Sequence, residues 1–261
     1  MDVYSILEKV RAQKPLVHHL TNWVTIYDCA NIVKVLGASP VMAHAREESG
    51  DMAGLASSLV LNIGTLTPEF IESMKIAAKS ANKKGIPVVL DVCGAGATKL
   101  RDDKSFELLD QVKIDVIKGN ASEIARIAGE NVKTKGVDSV EVEKNLIELA
   151  RHLAGERNAT VVITGKEDIV ADKTRYFIVK NGHEMMMHVV GTGCMAASVI
   201  GTFSAVHKNL AEAAASALSV YGIAAELAAK ESKGPATFKE KLFDNIYRLN
   251  KETVERMKKV E

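Results

Sequence analysis

Residues 189–206 read VVGTGCMAASVIGTFSAV, and the rest of the chain is organised around this stretch. Gly191 and Gly193 interrupt the β-rich run before them and open a long helix of small residues. The unpaired N–H groups and the positive dipole at the start of a helix favour an anion there. Cys194 falls in the first turn, where a positive field lowers the pKa of a thiol. The stretch therefore predicts a phosphate site beside a thiol that can accept a proton.

Two interpretations of this stretch stay open. In the first, Gly191, Thr192, Gly193 and Cys194 form an anion hole. In the second, the glycines only let the helix and a strand pack closely, and Cys194 is a small core residue. The same residues match a loose G-x-G-x-x-A dinucleotide pattern ending at Ala196. Because that pattern comes late in the chain instead of in a first βαβ unit, it argues only weakly for a dehydrogenase.

The composition excludes several classes of partner. The chain has 261 residues, a formal net charge of +1 and no basic block, so we expect neither nucleic acid nor an anionic membrane as partner. Three widely spaced cysteines (Cys29, Cys93, Cys194) without a CxxC pair argue against a disulfide framework or a zinc ribbon and fit a reducing cytoplasm. The N-terminus lacks the apolar core of a signal peptide. Residues 210–229 are shorter and more polar than a membrane span requires, so we expect a soluble protein.

Short β-branched runs alternate with longer helical patterns along the chain. Predicted strands cover 16–20, 40–43, 58–63, 86–91, 114–118, 160–164, 168–172 and 175–180. Predicted helices cover 22–36, 48–57, 68–84, 102–112, 121–129 and 139–155, and almost everything after residue 190. This alternation predicts an α/β fold with a central, mostly parallel sheet flanked by helices and a helical C-terminal part. No linker divides it, so residues 1–261 are expected to form a single domain.

In such sheets, ligands bind at the carboxyl ends of the strands. Asp91 ends a buried run and precedes a glycine-rich turn at 94–98. It could hold a metal ion or its waters near a phosphate, or it could be a turn aspartate that bonds its own backbone. The turn is not a Walker A loop, because it lacks the Gly-Lys-Ser/Thr ending.

Two further strand ends carry polar residues. Lys118 could meet a nucleotide phosphate as a point charge, and Thr164 could bond a phosphate or belong to an ordinary turn. Glu123 also has two interpretations. It could complete a capping box with Asn120 as the N-cap residue, or it could share a magnesium ion with Asp91.

Two histidine pairs are interpreted first as structural and not as metal ligands. His183 and His188 flank Glu-Met-Met-Met, a pattern that predicts a strand with mixed faces and no metal site. His18 and His19 end an early strand, where they could line a pocket or cap the next helix.

These junctions, in this order, resemble the hydroxyethylthiazole kinase family within the ribokinase-like kinases. The resemblance covers nearly the whole chain: VHHLTN at 17–22, GASPVMA at 37–43, LVLNIGTL at 59–66, GAGAT at 94–98, KGNASE at 118–123, ITG at 163–165 and GTGC at 191–194. The last motif discriminates most, because ribokinase relatives usually carry aspartate where this chain has Cys194. The resemblance implies a ribokinase-like layered fold.

The resemblance also implies an activity: transfer of the ATP γ-phosphoryl group to the primary hydroxyl of 4-methyl-5-(2-hydroxyethyl)thiazole, a salvage step in thiamine biosynthesis. By position, it assigns the ATP contacts to Lys118 and Thr164 and the magnesium (Mg²⁺) side to Asp91 and Glu123. It assigns the thiazole contacts to Met42 and Gly191 and a pocket role to Asn22. Catalysis is assigned to Cys194. A homotrimer with the thiazole pocket near a subunit interface is the family's usual assembly.

The chain departs from the family pattern at two places. The family commonly reads Asp-Pro-Val-Gly-Ala at the acidic turn, whereas this chain has Val92 and Cys93 after Asp91, which brings a second thiol near the site. Lys118 stands where arginine is frequent in the family. The positive charge is kept, but the planar guanidinium group that can bind a phosphate through two N–H groups is lost. Two other functions remain open: a related kinase for another small alcohol, and a nucleotide-binding protein without catalysis.

Overall fold

The computed structural model describes residues 1–130 and 139–261, and one sheet of eight strands runs through it in the order β2-β1-β3-β4-β5-β6-β7-β8. Every pair from β2 to β6 is parallel, and the β6–β7 and β7–β8 pairs are antiparallel. The strands are β1 Leu16–Leu20, β2 Ser39–Val41, β3 Ser58–Asn62, β4 Val88–Asp91, β5 Val116–Asn120, β6 Thr160–Thr164, β7 Asp168–Ala171 and β8 Tyr176–Val179.

Helices cover both faces of this sheet. They are α1 Val3–Gln13, α2 Ile26–Val35, α3 Arg46–Leu55, α4 Pro68–Lys84, α5 Lys99–Gln111, α6 Ala121–Ile127, α7 Ser139–Arg157, α8 Thr192–Ser204, α9 Leu210–Glu231, α10 Pro235–Arg248 and α11 Lys251–Met257. Alternate strand residues face opposite layers: Val60 joins the core under α1, α2 and α8–α11, whereas Leu59 and Leu61 join the core under α3–α7. The predicted α/β fold is therefore confirmed.

The predicted elements agree closely with the structure. Each of the eight predicted strands is present, with ends that shift by at most two residues. The start of α4 is confirmed in detail, because the Thr67 side chain accepts the Phe70 N–H ahead of Pro68, and Gly85 ends the helix at φ 77°. One shift matters for the site: β5 ends at Asn120, so Lys118 lies within the strand instead of at its end.

The predicted strand at 183–188 is wrong. Glu184–His188 form a short 3-10 helix, and Nδ1 of His183 accepts the Met185 N–H at 3.1 Å. This side-chain cap satisfies a backbone group locally, so the segment turns instead of extending. Gly191 therefore follows a 3-10 turn and not a β-rich run.

The expectation that residues 210–229 are too short and too polar for a membrane span is also wrong. α9 is long and apolar enough by length and composition, the one such helix among the residues that the structure describes. However, 78% of its most apolar window is buried inside the protein, where its alanines pack in the main core. At Gly222 a Cβ would lie 2.5 Å from the Asn181 backbone, so the helix approaches the chain after β8 closely.

The two edges of the sheet are both protected. β2 has only three residues, one of which is Pro40. On the other side, the last residues of the chain pair with β8: Ile178 donates its N–H to the Glu261 carbonyl at 2.9 Å, and Glu261 donates back at 3.0 Å. Val179 and Val260 form the corresponding β-bridge.

Candidate active site

The carboxyl ends of β1, β3 and β4, together with Lys118 from within β5, bring four polar side chains to the start of α8. These residues, together with the thiol that they surround, form what we call the Cys194 cluster: Asn22, Asn62, Asp91, Lys118 and Cys194. All except Cys194 are buried, with exposures of 5% or less. The convergence follows from topology, since neighbouring parallel strands end at the same edge of a sheet. The structure thus brings together four of the predicted site residues and adds Asn62, which the sequence analysis missed.

Two asparagines hold the Cys194 sulfur. Nδ2 of Asn22 donates to Oδ1 of Asn62 at 2.9 Å and to Sγ of Cys194 at 3.2 Å. Nδ2 of Asn62 donates to Oδ2 of Asp91 at 2.8 Å and lies 3.4 Å from the same sulfur. Each amide thus uses both of its N–H groups. The sulfur faces two fixed donors, which is the environment of a thiolate.

The pKa of Cys194 is lowered to about 5, chiefly because the Cys93 thiol donates a hydrogen bond to it; burial opposes the shift, and Thr25, Lys118 and Asn22 add to it. The pKa of the Cys93 thiol moves in the opposite direction, upward. The predicted lowering of the Cys194 pKa is therefore confirmed. Its main cause is a neighbouring side chain, whereas the sequence analysis attributed it to the helix.

Asp91 and Lys118 form a buried ion pair in which Nζ lies 3.3 Å from both carboxylate oxygens. Burial raises the pKa of Asp91 to about 7, although the Lys118 charge works against this. Burial by itself would lower the pKa of Lys118, but the charges of Asp91, Glu123 and Cys194 outweigh it and raise that pKa. The ammonium therefore stays charged beneath the start of α8, where a Cβ on Gly193 would lie 3.4 Å from Nζ.

The opening of α8 depends on Gly191. This residue is the N-cap, with φ 93°, and a Cβ there would lie 2.5 Å from Cγ2 of Thr25. Met195 donates the first helical hydrogen bond, to the Gly191 carbonyl at 2.8 Å. The N–H groups of Thr192, Gly193 and Cys194 precede that bond and have no acceptor within the helix. This geometry agrees with the predicted anion hole, whose occupancy by phosphate stays a prediction.

A second polar region, which we call the acidic turn, consists of Gly94–Thr98 and Glu123. Oε1 of Glu123 accepts the Gly94 N–H at 2.7 Å, and Oε2 accepts the Asn120 N–H at 2.7 Å. The Asn120 side chain accepts the Glu123 N–H in return, so the capping-box interpretation of Glu123 is confirmed. Asp102 similarly accepts the Gly96 N–H at 2.7 Å.

The acidic turn lines a cavity of about 1060 Å³. Glu123 faces this cavity, whereas the side chain of Asp91 is 1% exposed behind Lys118 and Asn62. In residues 1–130 and 139–261 no group of three or more His, Cys, Asp or Glu side chains is placed to hold a metal by itself. Magnesium commonly uses one or two carboxylates and completes its shell with waters and phosphate oxygens, and this donor set fits such an ion. The magnesium site at Asp91 and Glu123 stays a prediction.

Thr164 lies at the end of β6, where its hydroxyl donates to the Gly119 carbonyl at 3.3 Å. The turn after it is closed by Asp168, whose Oδ1 accepts the Gly165 N–H at 3.0 Å. Burial raises the pKa of Asp168 to about 6, and the charge of Lys118 counteracts this shift. Thr164 therefore contacts Gly119, the residue that follows Lys118 in β5, and its phosphate contact stays a prediction.

Met42 follows β2 and is half-buried, and its carbonyl accepts a hydrogen bond from Nδ1 of His44 at 2.9 Å. The His44 ring packs against two other rings that the sequence analysis did not single out, with centroid distances of 4.6 Å to Trp23 and 5.2 Å to Phe70. Trp23 directly follows Asn22 in the chain, so these rings lie beside the Cys194 cluster. A periodic pattern cannot reveal such a group, because its members come from three separate segments.

His18 and His19 are both fully buried, and neither caps the helix that follows. Nε2 of His18 donates to the Ala43 carbonyl at 3.0 Å, and Nε2 of His19 lies 3.1 Å from the Ser198 hydroxyl. Burial lowers the pKa of His18 and lowers that of His19 to about 3, so both rings are neutral at pH 7. They fasten β1 to the chain after β2 and to α8.

The hydroxyethylthiazole kinase family model matches residues 7–252 of this chain. The chain belongs to the hydroxyethylthiazole kinase family. It is 55% identical over 255 residues to the hydroxyethylthiazole kinase of Methanosarcina mazei, with 98% of each chain covered. The hydroxyethylthiazole kinase structure from Pyrococcus horikoshii OT3 superposes with a TM-score of 0.92 at 44% identity, covering 99% of this chain and 98% of that one.

More distant structures confirm the fold alone. A ribokinase-like superfamily protein from Enterococcus faecalis V583 has a TM-score of 0.66 at 16% identity, with 93% of each chain covered. The predicted ribokinase-like fold is therefore confirmed. Membership in the hydroxyethylthiazole kinase family also confirms that this chain is an enzyme, a kinase.

Proposed function

We propose that this kinase transfers the γ-phosphoryl group of ATP to the primary hydroxyl of 4-methyl-5-(2-hydroxyethyl)thiazole. The product phosphate would enter thiamine biosynthesis, which makes the reaction a salvage step. Support comes from the names of relatives that match along the full length. The observation that carries the proposal is the Cys194 sulfur, held by two amide donors at the start of a helix whose first N–H groups are free to bind an anion.

The start of α8 is proposed to bind the transferring phosphoryl group. Phosphoryl transfer has a loose transition state, so alignment and charge neutralisation supply most of the rate. The N–H groups of Thr192, Gly193 and Cys194 would hold the equatorial oxygens. Lys118 would contribute a fixed positive charge from below, because its pKa is raised by the charges around it.

Cys194 is the proposed catalytic residue. With a pKa lowered to about 5, its sulfur is a thiolate at pH 7, and it can orient the acceptor hydroxyl and take its proton. Such a base contributes on the order of 10²–10⁴-fold. Because little of the proton is removed early in a loose transition state, we expect the low end of that range.

The remaining contacts follow the predicted assignment. Lys118 and Thr164 would bind ATP, and Met42, Asn22 and Gly191 would line the thiazole pocket, with the Met42 thioether as a polarisable wall. Glu123, which faces the cavity, and the buried Asp91 would hold a magnesium ion through water molecules. That ion would supply positive charge to the phosphate oxygens. We further propose a single catalytic domain over residues 1–261, a cytoplasmic location and a homotrimer with sites near subunit interfaces.

The decisive experiment is a coupled assay for ADP release with Mg²⁺-ATP, with and without the thiazole alcohol. The proposal requires release that depends on the thiazole alcohol and formation of its phosphate ester. A panel with a hydroxymethylpyrimidine and other small alcohols distinguishes a kinase of another specificity. Tight ATP binding with no transfer to any alcohol would instead indicate a non-catalytic nucleotide-binding protein.

A further inference from the structure

The side chain of Asn62, the last residue of β3, uses its whole hydrogen-bonding capacity. It is 1% exposed, and its Oδ1 accepts the Gly64 N–H at 2.9 Å and Nδ2 of Asn22 at 2.9 Å. Its Nδ2 donates to Oδ2 of Asp91 at 2.8 Å and lies 3.4 Å from Sγ of Cys194. A carboxamide has two N–H groups and an oxygen with two lone pairs, so all four positions are filled.

The Gly64 N–H fixes the direction of the Asn62 amide. A backbone N–H can only donate, so the side-chain oxygen must face it and the side-chain nitrogen must point the other way. The reversed amide would place N–H₂ against the Gly64 N–H and oxygen against the Asp91 carboxylate. That arrangement loses both hydrogen bonds and leaves buried groups unpaired. The N–H groups of Asn62 therefore point to Asp91 and Cys194.

Asn22 is fixed in the same way. Its Oδ1 accepts the Thr25 N–H at 3.1 Å and the Thr25 hydroxyl at 3.0 Å, which leaves Nδ2 to donate to Asn62 and to Sγ of Cys194. Two backbone N–H groups, one after β3 and one at the start of α2, thus set the direction of two linked amides. Both amides end on the same sulfur, so its position is defined by two fixed donors.

The absence of a side chain at Gly64 allows this arrangement. A Cβ at this position would lie 2.9 Å from Oδ1 of Asn62 and 3.1 Å from Cβ of Asn22. The first distance is shorter than real Cβ contacts, so a larger residue would push the Asn62 amide away from its place. Gly64 thus offers a second way to disturb the position of Asn62 without removing its amide.

Asn181 is a matched reference in another part of the molecule. It is 4% exposed, and its Oδ1 accepts the Ser219 hydroxyl at 2.9 Å and the Lys259 N–H at 2.8 Å. Its Nδ2 donates to Oε1 of Glu226 at 3.0 Å and to the Met257 carbonyl at 2.9 Å. None of these partners belongs to the Cys194 cluster. Asn62 and Asn181 are therefore equally buried and equally bonded, but only the bonds of Asn62 lead to the thiol.

We propose that Asn62 is a positioning residue for phosphoryl transfer, which holds Sγ of Cys194 toward the acceptor hydroxyl both directly and through Asn22. The inference rests on the proposed function, because Asn62 acts through the residue proposed to meet that hydroxyl. A small misplacement of a reacting group lowers the rate of the chemical step much more than it weakens substrate binding. Loss of Asn62 should therefore lower kcat and leave the KM for ATP nearly unchanged.

The test is a double-mutant cycle in steady-state kinetics with Mg²⁺-ATP and the thiazole alcohol. Asn62→Ser loses both amide N–H groups and should lower kcat by about tenfold or more, but by no more than Cys194→Ala does. In the Cys194→Ala background the same substitution should change kcat by less than about twofold, because the group that it positions is already gone. An equal fall in both backgrounds would overturn the proposal and assign the effect to Asp91 or to the fold.

Two further variants separate position from stability. Asn181→Ser should lower the urea midpoint about as much as Asn62→Ser and leave the kcat of the folded protein unchanged. A matching fall in kcat for both serine variants would overturn the proposal. Gly64→Ala, which keeps the Asn62 amide and displaces it, should lower kcat in the wild-type background and not in Cys194→Ala. That variant decides the question if Asn62→Ser does not fold.

Failure of the inference can be distinguished from failure of the proposed function. If the wild type phosphorylates only another alcohol, the thiazole assignment fails and the cycle is measured with that alcohol. If it phosphorylates none, the proposed function fails, and crystal structures of the wild type and Asn62→Ser decide whether the amide positions the thiol. Sγ of Cys194 should then leave its wild-type rotamer or occupy two. Unchanged positions of Sγ and of Nδ2 of Asn22 would overturn the inference.

Discussion

The Cys194 cluster and the acidic turn both lie at the carboxyl ends of neighbouring strands, yet they use their polar groups differently. In the cluster, side chains bond other side chains: Asn62 links Asn22, Asp91 and the thiol. In the acidic turn, a carboxylate bonds backbone N–H groups, with Glu123 at 2.7 Å from both the Gly94 and the Asn120 nitrogen. The first region holds reactive groups in place, and the second holds the chain itself in place.

This difference separates two kinds of consequence. A change in the cluster should alter the charge and reactivity of buried groups. A change in the acidic turn should alter the shape of the cavity wall and the stability of α6. The following substitutions test whether changes in the two regions have these two different consequences.

The largest expected effect comes from Lys118→Met. Removing one partner of a buried ion pair leaves Asp91 uncompensated and should cost about 3–5 kcal/mol in the free energy of unfolding, measured by urea denaturation. The double variant Lys118→Met/Asp91→Asn should recover a large part of that loss, because no charge is left buried. If the single variant unfolds at the wild-type urea concentration, the pair does not stabilise the fold.

Cys194→Ala should lower kcat by about 10²-fold while ATP binding and the urea midpoint change little, because the sulfur acts on the acceptor hydroxyl. Cys194→Asp should remain active, since a carboxylate can accept the same proton. Steady-state kinetics with calorimetric ATP binding provides the measurement, and Cys29→Ala is the matched control. Turnover of the thiazole alcohol by Cys194→Ala at the wild-type rate would mean that the cysteine has no catalytic role.

Glu123→Gln tests the acidic turn. The neutral amide keeps one oxygen acceptor and places an N–H₂ group against a backbone N–H, so the free energy of unfolding should fall by about 1.5–3 kcal/mol. The KM for Mg²⁺-ATP should rise more than kcat falls. The control for a general loss of turn structure is Asp102→Asn, which changes the neighbouring carboxylate that accepts the Gly96 N–H. An unchanged stability together with a large drop in kcat would place Glu123 with the reacting groups instead.

Met42→Ala should raise the KM for the thiazole alcohol by about tenfold through lost packing, with little change in the KM for ATP. Initial-rate kinetics with each substrate varied in turn measures both constants. The reverse pattern, in which the KM for ATP rises and that for the alcohol does not, would remove Met42 from the acceptor pocket.

The smallest effect concerns the pKa of Cys194 itself. In the wild type the rate of alkylation by iodoacetamide should stay level above pH 6 and fall as the pH drops through about 5, because protonation removes the thiolate. In Cys93→Ala the main donor is lost, so the pKa of Cys194 should rise and the midpoint of the profile should move to higher pH. Overlapping profiles for the two proteins would assign the lowered pKa to the helix start or the asparagines.

Much of the fold could be predicted because buried parallel strands leave a strong signal. Runs such as residues 59–61 and 88–90 are continuously apolar, and the glycine and proline residues between runs mark where each one ends. The segment 183–188 gave a misleading signal. Its mixture of polar and apolar residues resembles a strand with mixed faces, but the cap formed by His183 belongs to local side-chain chemistry that periodicity does not include.

The candidate site could be predicted in outline, because strand ends converge and Asn22, Asp91, Lys118 and Cys194 each lie near one. Asn62 has the same signal, a polar residue at the end of a buried run, and it could have been found by the same rule. The hydrogen bond from Cys93 to Cys194 could not. It depends on how closely the start of α8 approaches the turn after β4, and that distance is set by packing across the whole core.

The protected edges of the sheet have a consequence for assembly. A strand with an open side invites a neighbouring molecule to extend the ladder, which is a route to aggregation. Here the short β2 with Pro40 offers little to such a neighbour, and the chain's own last residues already occupy the side of β8. An interface between copies that uses side chains of helices and loops can then change its specificity by surface substitution without disturbing the sheet.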